Sequence, residues 1–136
     1  MSNPTLFGLT GFIAWSLLLL ALMEVIRSKL VIAGHVQASG FRPDNANLSP
    51  FRQRLARAHA NCIEGLPIFG GLMLVALVTE RTDVTDPLAL LLLAARIVQS
   101  SLHLASPANA IVTLRFAAFA VQMLIAMYWA YRLLVG

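Results

Sequence analysis

Four apolar runs separated by three polar stretches set the plan of the chain. Leu6 to Met23 carries no charge. A bilayer core about 30 Å thick is crossed by about 20 apolar helical residues, so this run predicts a spanning helix over about 5–26. It closes at Glu24 and Arg27, which lie one turn apart and can pair. The polar stretch that follows is rich in turn formers: Gly34, Gly40, Pro43, Asp44 and Asn45. Ser49-Pro50 reads as an N-cap followed by proline at the first helical position. A second helix is therefore expected over about 49–79. That is long for one span, so its first turns, with Arg52 and Arg54, should project into the interface. Asp86-Pro87 repeats the cap-and-proline signal and predicts a third helix over about 87–104. Ser106-Pro107-Ala108-Asn109 makes a short turn. The fourth helix is expected over about 110–134. Tyr128, Trp129 and Tyr131 close it as an interfacial aromatic belt, with Arg132 as the last charge.

Composition sharpens the class. Of 136 residues, 59% are hydrophobic and only 12% charged, against about 45–50% and about 25% in soluble domains. These values describe an integral membrane protein of one domain spanning 1–136. The net charge of +4 makes no case for nucleic acid, because no reading motif and little soluble surface accompany it. Cys62 is the sole cysteine, which excludes an intrachain disulfide; it reads as a small packing residue. No His, Cys, Asp and Glu spacing suggests a metal. The first polar stretch, 27–53, is basic, with Arg27, Lys29, Arg42 and Arg52, whereas Glu80, Asp83 and Asp86 make the second net acidic. The positive-inside rule then places 27–53 in the cytoplasm and both termini outside.

The polar residues inside the spans carry the chemistry. On the second helix Arg57, Asn61 and Glu64 share one face, with Arg54 a turn before. On the third, Arg96, Ser100 and His103 do the same, beside Gln99. On the fourth, Arg115 comes early and Gln122 follows on its face. A charge at the bilayer centre costs roughly 2.5–3.5 kcal/mol on insertion scales, so such residues face partners or a polar pocket. Arg54, Arg57, Arg96 and Arg115 converge toward one side of the membrane. Arginine's planar fork suits carboxylates and phosphates. An adjacent arginine also favours a thiolate, the nucleophilic form of a thiol. These features predict a crevice where a small polar anion meets a lipid-soluble partner.

Arg54-x-x-Arg57-Ala58-x-x-Asn61-x-x-Glu64, followed by Leu66-Pro67-Ile68-Phe69 and set among four short spans with a basic first loop, resembles the MAPEG family. These are the membrane-associated proteins of eicosanoid and glutathione metabolism. Arg96 and Arg115 support the likeness, which points to a bacterial-type member of an inner membrane. The resemblance implies an all-α four-helix bundle assembled as a homotrimer, with glutathione held between protomers near the cytoplasmic side. Arg57, Asn61 and Glu64 match the positions that hold glutathione. Arg115 matches the arginine proposed to activate its thiol, and Arg27 a basic residue offered by the neighbouring protomer. Arg54, Arg96 and His103 complete the expected glutathione set. Gln99 and His103 stand where the animal leukotriene and prostaglandin E synthases place tyrosines, and Gly65 where an aromatic can follow the motif glutamate.

The function so implied is a membrane-bound glutathione transferase or peroxidase-like activity on hydrophobic electrophiles, with glutathione as co-substrate and membrane lipid around it. A non-catalytic membrane protein that binds lipid or a partner, or a small tetraspan transporter, is the alternative.

Overall fold

The computed structural model describes residues 3–136. Four antiparallel helices follow one another: α1 (Pro4–Ile32), α2 (Pro50–Val78), α3 (Thr82–Ala105) and α4 (Asn109–Val135). All four are long and apolar enough to cross a membrane. Most of their apolar surface faces outward, and the spanning part of α4 is only 17% buried. In water that exposure would drive aggregation; in lipid it is the expected state, because the tails are as apolar as the side chains.

Local signals explain the helix starts. Asn3 accepts from the Leu6 amide at 3.1 Å and Pro4 takes the first turn of α1. Ser49 caps α2 through the Arg52 amide, with Pro50 next. Two boundaries depart from the expected ones. α1 continues to Ile32, well past the end expected near 26, so the first connection shortens to residues 33–49. The extra turns are held by Arg27, whose Nη2 donates to Asn45 Oδ1 at 2.6 Å and to the Arg42 carbonyl at 3.0 Å. α3 begins at Thr82, ahead of the cap predicted at Asp86. Asp86 instead accepts from the amide and hydroxyl of Thr5 on α1. Pro87 still falls within the first turns of α3, where the amide it lacks costs little.

α1, α2 and α3 pack on one another, whereas α4 packs chiefly on α3, touches α2 lightly and leaves α1 alone. Small residues let α1 approach α3. A Cβ on Gly8 would sit 3.1 Å from the Ala89 carbonyl, and one on Gly11 would sit 2.6 Å from a Leu93 methyl. One core cluster gathers Phe12, Phe69, Met73, Leu92, Ile125 and Trp129; a second gathers Leu19, Met23, Leu55 and Cys62.

Both ends of the bundle are tied by polar contacts. At one end Thr5 meets Thr85 at 2.6 Å as well as Asp86, and Arg81 donates to the last carbonyls of α4, those of Arg132 and Leu133. At the other, Arg54 Nε donates to the Leu104 carbonyl at the end of α3. Asn45, itself buried and at positive φ, links Arg27 to the Arg52 carbonyl.

Removing Asp86 strands the buried Thr5 hydroxyl on one partner. Asp86→Ala is expected to destabilise the protein by about 1–3 kcal/mol, read as a lowered thermal midpoint in detergent. Asp83→Ala, at an exposed position of the same turn, should stay within about 0.5 kcal/mol of the parent.

Candidate polar site on α2, α3 and α4

α2 presents two different faces. Leu55, Ala58, Cys62, Gly65 and Phe69 are buried against the other helices. Arg57 and Glu64 point outward and are exposed, with Asn61 half-buried between them and the core. The stripe predicted to line the floor of a site therefore lies on the protomer's outer surface. Neither Arg57 nor Glu64 has an ion-pair partner: the single acid–base pair among the described residues is Glu24–Arg27 at 3.7 Å.

Behind this stripe lies a cavity of about 320 Å³, lined by Asn61, Glu64 and Gly65 from α2, Arg96 and Gln99 from α3, and Phe119 from α4. Arg96 is its most costly member, at 1% exposed. Its guanidinium lies between two rings, 5.3 Å from the centre of Phe12 and 5.7 Å from that of Phe69. Its Nε and Nη1 are buried without a hydrogen-bond partner. The rings offset part of the cost, at about 0.5–2 kcal/mol each. Taking a lone cation out of water costs several kcal/mol, so the deficit remains. Gly65 makes the arrangement possible: a Cβ there would lie 3.0 Å from Arg96 Nη2 and from the Phe69 ring.

Gln99 is oriented from α4. Gln122 Nε2 donates to Gln99 Oε1 at 2.8 Å and to the Ala118 carbonyl at 3.1 Å. That leaves the Gln99 amide group free to donate. Asn61 approaches His103 Nδ1 at 3.5 Å. His103 is buried and within electrostatic reach of Arg54, Arg57 and Arg115. Arg115 is half-buried, its Nε without a partner, one turn before Phe119 on the same helix.

The structure thus brings Asn61, Glu64 and Arg96 to one cavity and sets His103, Arg54, Arg57 and Arg115 around it. Arg27 stands apart. It is spent on its own loop, donating to Asn45 and the Arg42 carbonyl and stacking 5.4 Å from the Phe41 ring. The sequence reading did not find Gly65, Phe12, Phe69 and Phe119 as parts of the site. A glycine directly after Glu64 in an otherwise bulky span was a signal for Gly65. Phe12 is joined to Arg96 only by tertiary packing.

Chemically, the cavity offers an uncompensated cation, a carboxylate and oriented amides at membrane depth. That set receives a small polar molecule carrying both an acid and an amine. The chain matches the MAPEG family model over residues 5–135 and belongs to that family. No curated protein and no solved structure matched it.

Because Arg96 carries a buried, unpaired charge, its removal should not harm the fold. Arg96→Met is expected to leave stability unchanged or raise it by up to about 4 kcal/mol, measured by thermal denaturation in detergent. A large loss of stability would mean that the guanidinium is a structural tie.

Proposed function

We propose that this MAPEG protein is a membrane-bound glutathione transferase or peroxidase-like enzyme acting on hydrophobic electrophiles, assembled as a homotrimer of one-domain protomers covering 1–136. The observation that carries the reading is the outward stripe of Arg57 and Glu64 beside a cavity that holds an unpaired Arg96. Lipid cannot solvate that stripe. A neighbouring copy and a polar ligand can, and glutathione brings two carboxylates, an ammonium and a thiol.

In this reading Arg57 and Arg96 take carboxylate, Glu64 takes the ammonium, and Asn61 bonds either group. His103 and Arg54 close the site from the loop side, and Arg27 is offered by the neighbouring protomer. Arg115 stabilises the thiolate. The sulfur then attacks an electrophilic carbon, or the oxygen of a hydroperoxide, presented from the lipid. The basic end of the bundle, with the connection 33–49, faces the cytoplasm of a bacterial inner membrane, and both termini lie outside.

Glutathione titrated into purified protein in detergent should give a saturable thiolate absorbance in the ultraviolet. Arg115→Ala should lose that signal while calorimetry still detects binding. Arg57→Ala and Glu64→Ala should each weaken binding roughly 10- to 100-fold, the worth of a charge-assisted hydrogen bond, without loss of the trimer. No binding at millimolar glutathione would assign the fold to a non-catalytic lipid- or partner-binding role. Unchanged binding in both variants would remove the helix-face assignment.

A further inference from the structure

The polar cavity is continuous with a second one. Ile68, Phe69 and Phe119 line both it and a groove of about 630 Å³ that runs between α2 and α4. The groove continues along Gly71, Val75, Met123 and Met127, and its lining residues carry no charge and no polar side chain. It exists because α4 leans on α3 and touches α2 only lightly. Gly71 also leaves it open: a Cβ there would meet nothing within 4 Å. Val75, Met123 and Met127 are themselves exposed, so the groove opens sideways at the depth of the lipid tails. Its volume lies in the range of small-molecule pockets, roughly 300–1,000 Å³.

We infer that this groove is the acceptor subsite: it holds the apolar tail of a neutral, single-chain electrophile whose reacting end lies at Phe119, against the polar cavity of the same protomer. The inference rests on the glutathione reading for the thiol, and on its own observations for the groove. Continuity through three shared residues places a tail in the groove and a head at the polar cavity in one molecule. The absence of any charge or donor along the groove selects a neutral tail. From Ile68 to Val75 the helix rises roughly 10 Å, which suits a tail of medium length. Two methionines let the wall adapt to tails of different shape.

A homologous series of alk-2-enals tests it with glutathione. The sulfur bonds to C3, the π pair of the C2=C3 bond moves to C2 and takes up the thiol proton, and no group leaves. With each added methylene kcat/KM should rise roughly threefold to fourfold, the effect of burying one CH₂, until the groove is filled. Gly71→Leu puts a side chain into the groove without displacing anything. It should collapse the ratio of long-chain to short-chain kcat/KM at least tenfold, and Gly71→Ala should lower it less. Glutathione binding by Gly71→Leu should match the parent.

A second measurement needs no thiol. A diazirine-bearing long-chain alcohol in nanodiscs should photolabel residues 68–75 and 119–127, and Gly71→Leu should abolish that labelling. Labelling and its loss without any glutathione turnover would uphold the groove and overturn the glutathione reading. Labelling that Gly71→Leu leaves unchanged, or an undiminished chain-length ratio, would overturn the groove. Dissociation of the assembly by Gly71→Leu in native mass spectrometry would assign the groove to a second copy and overturn the inference as well.

Discussion

A guanidinium held out of water is the constraint around which this bundle is built. Arg96 has no counter-ion, two nitrogens without partners, and an aromatic ring on either side. Hydrophobic packing does not require such a residue; an apolar side chain of similar size would fill the same space at lower cost. Its neighbours nevertheless accommodate it. Phe12 and Phe69 supply ring faces, and Gly65 withdraws its side chain. Gln122 turns Gln99 toward the same cavity. Intramembrane charge kept under these conditions marks a site rather than a brace.

The rest of the bundle holds that cavity at fixed dimensions. Between lipid and side chain there is little hydrophobic driving force, so packing and hydrogen bonds carry the association of spans. The tight α1–α3 approach at Gly8 and Gly11 serves packing. The polar ties lie at the two ends, where Thr5 and Arg81 act on one side and Arg54 and Asn45 on the other. The middle of the bundle is thereby left free for the cavity. α4 is the least constrained helix, and its loose seam with α2 is where the apolar groove opens.

Polar and apolar compartments consequently meet at Phe119. Toward the basic end lie Arg96, Glu64 and Asn61, with Arg115 a turn away; toward the other lies a groove of hydrocarbon character open to the bilayer. A reaction between a water-soluble thiol and a lipid-soluble acceptor needs both environments within bonding distance. The exposed Arg57 and Glu64 add a third element, a charged outer edge suited to a neighbouring copy.

Much of this was legible in the chain itself. Span number, up-and-down order, the caps at Ser49 and Pro50 and the charge asymmetry follow from hydropathy and turn chemistry, which act locally. So does the family motif from Arg54 to Phe69, since helical periodicity puts its polar residues on one face. Local signals misled where a distant partner outbid them: Asp86 bonds Thr5 instead of capping α3, and Arg27 with Asn45 prolongs α1 to Ile32. Only the tertiary structure decided which way the motif face points. Periodicity says that Arg57 and Glu64 share a side, but packing against α1 and α3 determines that the side is outward. Tertiary packing likewise joined Phe12 to Arg96 and opened the groove between α2 and α4. Those contacts depend on how helices distant in sequence lean together, which no single span encodes.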